Sequence, residues 1–99
     1  MTRTLRVLPR AEAELGEAVD WYEARRAGLG VEFLETVHSA LLRIQRAPHQ
    51  LATWTVSKRE YRRFVLQRFP YVILFTYDDE DVTIVAVAHA RRKPGYWIE

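Results

Sequence analysis

Hydrophobic and polar residues alternate in some stretches of the chain and recur at helical spacing in others. Alternation over residues 4–8 predicts a strand, and Pro9, which suits the first turn of a helix, begins a new pattern. Apolar residues then recur at i, i+4, i+7 and i+11, which predicts an amphipathic helix from Pro9 to about Arg25 with an inner face of Ala11, Leu15, Ala18 and Tyr22.

A second helix follows a short glycine-containing turn. Gly28 and Gly30 flank Leu29, a pattern typical of a helix end and a tight connection. Helical spacing then continues to Arg46, and Pro48 forbids continuation. The apolar positions of this helix are Phe33, Val37, Ala40, Leu41 and Ile44. The two helices are therefore expected to form an antiparallel hairpin.

The second half of the chain has the character of a sheet. Residues 49–58 show no sustained period and are predicted to be a loop. Three strands are predicted at 61–67, 71–77 and 82–89, with short connections typical of an antiparallel meander. The order β-α-α-β-β-β predicts one α+β domain, residues 1–99, in which a helical hairpin packs on one face of an antiparallel sheet.

Composition narrows the class of protein. Ninety-nine residues give room for one core, and 48% hydrophobic residues are typical of a globular chain. The sequence has no cysteine, which excludes disulfides, thiolate nucleophiles and zinc ribbons. No apolar run approaches the roughly 20 residues of a membrane span, and the first residues lack the pattern of a signal peptide. We expect a cytoplasmic protein without membrane contact.

Charge is small in sum but uneven along the chain. The net charge is only +2, whereas residues 58–68 carry five cations and one acid, a local charge of +4. Arginine outnumbers lysine thirteen to two, which favours bidentate contact with phosphate or carboxylate groups. The candidate binding residues are Arg62, Arg63, Arg68, Arg91 and Arg92. The alternative is that these arginines are merely solvated on the surface.

Most kinds of catalytic chemistry lack the residues they need. The three histidines have no metal-ligand spacing, no serine has the setting of a nucleophile, and no phosphate-binding glycine loop is present. We therefore expect neither a metal nor a cofactor. Metal-free RNA cleavage stays open, with His89 and Tyr96 as candidate proton-transfer groups. A structural histidine and an apolar flap at Tyr96-Trp97 are the alternatives.

Two tryptophans fall outside the regular elements. Trp54 lies in the predicted loop and Trp97 near the end of the chain, both close to basic clusters, so both are candidates for a partner interface. The other aromatic residues, including Trp21, fall at helical or strand periods and are expected to pack in the core.

Several short motifs follow one another along nearly the whole chain. They are Ala13-Glu14-Leu15, Trp21-Tyr22-Glu23, Gly28-Leu29-Gly30, Arg68-Phe69-Pro70-Tyr71 and the segment from His89 to Trp97, which includes Pro94. In their order and spacing these motifs resemble the ParE/RelE superfamily of bacterial toxins, and most closely its ParE-like, plasmid-stabilisation branch.

The resemblance implies the toxin of a type II toxin–antitoxin system, held inactive by a cognate antitoxin that wraps its sheet and helices. A ParE-like toxin would inhibit DNA gyrase without catalysis. A RelE-like toxin would cut mRNA on the ribosome, with Arg63 and Arg91 on phosphate and His89 or Tyr96 transferring protons. A non-toxic antitoxin-binding module is a third possibility. All three need guanidinium groups that are free of the chain's own carboxylates.

Overall fold

Two helices cover one face of a five-stranded sheet. The computed structural model describes residues 2–93 and 95–97. The chain runs through β1 (Thr4–Val7), α1 (Pro9–Arg25), α2 (Leu29–Arg46), a 3-10 turn (Pro48–Gln50), β2 (Ala52–Val56), β3 (Arg59–Val65), β4 (Tyr71–Tyr77) and β5 (Asp81–His89). The predicted α+β class is confirmed, and the predicted elements follow one another in the order β-α-α-β-β-β, with β2 as one additional strand after α2. Pro94 of the C-terminal motif lies outside the described residues.

The sheet has the strand order β1-β5-β4-β3-β2. Strands β2 to β5 form an antiparallel meander, and β1 adds to β5 in parallel. Between Leu74 and Phe75 the register with β5 shifts by one residue, because Leu74 pairs with Ala86 and Phe75 with Ile84. Such a bulge increases the local twist of the strands.

The predicted loop at 49–58 was wrong for half of its length, because β2 (Ala52–Val56) lies within it. β2 pairs along its whole length with β3, from Ala52 opposite Arg63 to Val56 opposite Arg59. The two strands are joined at Ser57 and Lys58, both with positive φ (51° and 65°). Hairpin turns of this kind usually contain Asn and Gly. Because this turn contains neither Asn nor Gly, the sequence carries no signal that predicts a hairpin here.

Two separate hydrophobic clusters lie on the two faces of the sheet. The larger one joins the predicted inner faces of the helices to the sheet and includes the fully buried Phe33, Val37, Ile44, Phe75 and Ile84. The second lies on the face away from the helices, called here the open face, and contains Tyr61, Leu74, Ala86 and Trp97. Alternation of side chains along each strand therefore gives both faces of the sheet apolar contacts.

The turn between the helices is held by one glutamate. Glu23 of α1 accepts hydrogen bonds from the backbone N–H groups of Gly28 and Gly30, at 2.9 and 3.0 Å. Gly28 has φ of 88°, a left-handed conformation that glycine adopts without strain. These contacts satisfy N–H groups at the start of α2 that have no partner within the helix.

Candidate functional site

The neighbouring residues Arg62 and Arg63 lie on opposite faces of β3. Arg63 is exposed on the open face, where its guanidinium lies 5.1 Å from the ring centre of Trp54. Arg62 points the other way and donates to the backbone carbonyls of His49 (3.1 Å) and Leu51 (2.6 Å). The two side chains therefore face different surroundings and do not form one cationic patch. Arg62 also holds the 3-10 turn against β3.

Two of the five candidate arginines are paired with the chain's own carboxylates. Arg68, which follows β3, forms an ion pair with Glu32 of α2, and Arg92, which follows β5, lies 3.8 Å from Glu14 of α1. The expectation of unpaired guanidinium groups was wrong for these two. Arg68 and Glu32 are both partly exposed, and such surface pairs are weak, so an incoming acidic group could replace Glu32. Glu14 is only 12% exposed, so the pair with Arg92 is not of this kind.

Arg63 and Arg91 have guanidinium groups without a carboxylate partner in the described part of the chain, as expected from the sequence. Arg91 is exposed in the turn after β5, and neither guanidinium has a carboxylate partner within residues 2–93 and 95–97. Their role in binding stays a prediction.

A groove of about 550 Å³ lies between α1 and the ends of β4 and β5. Its walls include the aromatic side chains of Trp21 and Tyr22 from α1 and of Tyr71 from β4. Its polar groups are Glu14, Glu17, His89 and Arg92. We call this cavity the α1 groove. Trp21 is 52% exposed here, so the expectation that it packs in the core was wrong.

Glu14 connects α1, the sheet and the C-terminal segment. Its carboxylate accepts a hydrogen bond from the backbone N–H of Val87 at 2.9 Å and another from the hydroxyl of Tyr96. The guanidinium of Arg92 stacks on the Tyr96 ring, 3.7 Å from its centre. The Glu14 side chain is only 12% exposed. Arg92 and Tyr96, which follow β5, are thus held against α1.

Tyr96 is held in its protonated form by this setting. Burial raises the pKa of the Tyr96 hydroxyl far above its ordinary value, and the adjacent Glu14 carboxylate raises this pKa further because it disfavours a second negative charge. A general base must be deprotonated at the working pH. The hydroxyl is therefore unsuited to that role, and it donates a hydrogen bond to the Glu14 carboxylate.

His89, the other candidate proton-transfer residue, lies in the α1 groove on the helix side of the sheet. Its ring packs edge-on against Tyr71, with ring centres 5.3 Å apart, and Nδ1 accepts a hydrogen bond from the backbone N–H of Arg91 at 3.1 Å. Glu14, Glu17 and Arg92 line the same groove. The two carboxylates outweigh the single guanidinium and disfavour a phosphate, and Arg63 lies on the opposite face.

Trp54 and Trp97 are joined on the open face. Trp97 is 8% exposed and packs edge-on against Tyr61, while Trp54 is half-buried in β2 with its ring centre 6.1 Å from that of Trp97. The C-terminal residues thus form the apolar flap that was the alternative interpretation of Tyr96-Trp97. A partner interface at these tryptophans stays a prediction, and Trp97 presents little surface for it.

Sequence reasoning missed the part played by Glu14. The residue lies three positions after Ala11 and four before Ala18, both buried, so it falls on the apolar stripe of α1. A carboxylate at such a position needs internal hydrogen-bond donors. That signal was present in the sequence. The donors themselves are 73 and 82 residues away and could not be located from it.

The described part of the chain contains no helix that is long and apolar enough to cross a membrane. It also contains no group of three or more histidine or acidic side chains that could hold a metal ion.

The arrangement of a helical hairpin on a five-stranded sheet defines a known class of small α+β domain. A solved structure described as the chromosomal ParDE TA system from P. aeruginosa has the same fold, with a TM-score of 0.79 over 91% of this chain and 98% of that one, at 16% identity.

Sequence comparison then identifies the family. The model of the family described as ParE toxin of type II toxin-antitoxin system, parDE, matches residues 5–94. Toxin ParE2 of Mycobacterium tuberculosis, from strains CDC 1551 / Oshkosh and ATCC 25618 / H37Rv, is 32% identical over 96 residues, which cover 96% of this chain and 89% of the relative. The chain belongs to the ParE toxin family of type II toxin–antitoxin systems.

Proposed function

We propose that this toxin inhibits DNA gyrase by protein–protein contact in the cytoplasm, and that a cognate antitoxin neutralises it. Family membership supports an antitoxin partner. The target is supported by one observation above the others: the groups that RNA cleavage needs are not assembled at one place. Arg92 does lie near His89 and Tyr96, but Glu14 and Glu17 share that groove and the Tyr96 hydroxyl is bonded to Glu14. Arg63 lies on the opposite face of the sheet.

RNA cleavage without a metal needs a base, an acid and cations around one phosphate. In this chain the Tyr96 hydroxyl is bonded to Glu14, and the guanidinium of Arg62 is bonded to backbone carbonyls. The exposed cations are thus suited to contact with an acidic protein surface, which needs charge and shape but no proton transfer.

The test compares two activities of the purified chain. We expect it to reduce the supercoiling of relaxed plasmid by gyrase, and to leave mRNA intact in a reconstituted translation reaction. Arg63→Ala and Arg91→Ala should each weaken the inhibition, while Arg46→Ala, at the exposed end of α2, serves as a control that removes the same charge. Cleaved mRNA with unimpaired gyrase would overturn the proposal in favour of a ribosome-dependent endoribonuclease.

Inactivity in both assays would also overturn the proposed target. If such an inactive chain still bound the product of a small adjacent reading frame, it would be a non-toxic antitoxin-binding module. Pull-down of that product by the tagged chain therefore completes the experiment.

A further inference from the structure

We infer that the α1 groove binds the side chain of an arginine or lysine presented by a segment of a partner protein. The inference rests on the proposed function in one respect, because the antitoxin would supply that segment. The site and the chemistry it selects are argued below from the groove itself.

The walls of the groove suit the stem of a long basic side chain. Trp21, Tyr22 and Tyr71 line it, together with Ala18, Pro70 and Val87. Aromatic faces attract guanidinium and ammonium groups, and long basic side chains bury their methylenes against apolar surface. Trp21 shows this affinity within the chain, since Arg25, which does not line the groove, stacks 4.2 Å from its ring centre. The volume of about 550 Å³ falls within the roughly 300–1,000 Å³ range of small-ligand sites.

The charge of the groove selects a cation. Glu14 is balanced by Arg92, but Glu17 has no ion-pair partner among residues 2–93 and 95–97. Both carboxylates act on the groove, because they help to raise the pKa of Tyr71, an effect that is due first to burial. A phosphate or a carboxylate would be repelled there. The head group of a bound arginine or lysine would lie near Glu17.

The groove is also an acidic site on a basic chain. The net charge is +2, and residues 58–68 alone carry +4. A segment that covers such a surface must be largely acidic to match it. One basic residue placed among acidic ones would fit at the α1 groove and not on the basic stretch 58–68, so it would help to fix the register of the segment on the toxin.

The test is a titration of the full chain with N-acetyl-arginine amide, followed by NMR of the Trp21 indole N–H and the His89 backbone amide. N-acetyl-citrulline amide is the matched neutral probe, because it has nearly the same shape without the charge. With the arginine probe we expect the chemical shifts of both groups to change and to reach saturation. The citrulline probe should bind at least about threefold more weakly, because it cannot form the partly exposed ion pair with Glu17.

The paired variants are Glu17→Gln and Glu12→Gln. Both remove one exposed carboxylate from α1, but only Glu17 lines the groove. Glu17→Gln should weaken arginine binding about threefold and Glu12→Gln should leave it unchanged. Equal binding of the two probes, equal effects of the two variants, or shifts confined to other parts of the chain would overturn the inference. The titration needs neither gyrase nor antitoxin, so it tests the groove alone. The supercoiling assay tests the proposed function independently.

Discussion

Neighbouring arginines on one strand have different contacts and should respond differently to removal. Arg62 donates to two backbone carbonyls, and hydrogen bonds from charged groups contribute more than neutral ones. Arg62→Ala should therefore lower the free energy of unfolding by about 1–2 kcal/mol. Arg63→Ala loses only a surface cation–π contact, and it should cost less than about 1 kcal/mol. Urea denaturation of the two variants checks this difference.

A reversed order of stability would contradict these assignments. Arg63→Ala should also impair gyrase inhibition, although its fold is retained. An inactive but fully stable Arg63→Ala protein is therefore the outcome that separates a binding residue from a structural one.

Glu14 satisfies two donors from distant parts of the chain, and its removal leaves both without a partner. Glu14→Ala should destabilise the fold by about 1–3 kcal/mol for each buried donor left unpaired. Tyr96→Phe removes a single donor and should cost less. Glu12→Gln, on the exposed side of the same helix, should change the free energy of unfolding by less than about 0.5 kcal/mol. Chemical denaturation that ranks the three variants in any other order would contradict the role given to Glu14.

The contribution of Tyr96 should depend on pH. Because the folded state raises the pKa of this hydroxyl above its unfolded value, the stabilisation is fully present below pH 10 and is lost as the pH rises further. The stability difference between the wild-type chain and Tyr96→Phe should therefore shrink above pH 10. Urea midpoints at pH 8 and at pH 11 measure it, and a constant difference would contradict the assignment.

Close packing of the two helices depends on one glycine. A Cβ atom at Gly30 would lie 2.7 Å from the carbonyl oxygen of Val19 and 2.9 Å from a carboxylate oxygen of Glu23. Gly30→Ala should therefore force the helices apart and cost about 1–3 kcal/mol. Gly16→Ala, with nothing within 4 Å, should stabilise α1 by about 0.5–1 kcal/mol. Thermal melts should shift in opposite directions, and a shift in the same direction would show that helix contact at Gly30 is looser than described.

The hairpin between β2 and β3 is closed by residues that do not favour its geometry. Left-handed backbone costs a residue other than glycine roughly 1–2 kcal/mol. Replacing Ser57-Lys58 by Asn-Gly should therefore raise the free energy of unfolding by about 1 kcal/mol. Lys58→Ala removes the same charge but keeps a Cβ atom, and it should give no such gain. Equal stability of the two variants would show that the turn carries no strain.

This hairpin also marks the limit of prediction from the sequence. Helical spacing placed both helices, alternation placed β1 and β3, and β-branched, aromatic or apolar runs placed β4 and β5. Each of these patterns is local, and most of them lie against a large core. β2 lies at the sheet edge, where Thr53, Trp54 and Thr55 favour a strand but the turn gives no signal. Likewise, the arginines were visible as a cluster in sequence. Their partners Glu32 and Glu14 depend on tertiary contacts and could not be predicted.

At the scale of the whole molecule, the C-terminal segment completes the second core. Trp97 covers Leu74 and Ala86 on the open face, so the sheet has packed side chains on both sides. Arg10 of α1 donates to the Tyr96 carbonyl at 3.1 Å, and Glu14 holds the Tyr96 hydroxyl. The segment is therefore part of the folded unit, and a partner that needed Trp97 exposed would first have to break these contacts.

Trp97→Ala tests whether this tryptophan belongs to the core or to an interface. Loss of a buried aromatic side chain should cost about 3–5 kcal/mol, a large share of the roughly 5–15 kcal/mol that stabilises a typical domain. Val65→Ala, on the same face but 56% exposed, should change the free energy of unfolding by less than about 0.5 kcal/mol. Urea denaturation compares the two. If Trp97→Ala kept the stability of the wild-type chain, the ring would be a surface group, and its assignment to a partner interface would be favoured instead.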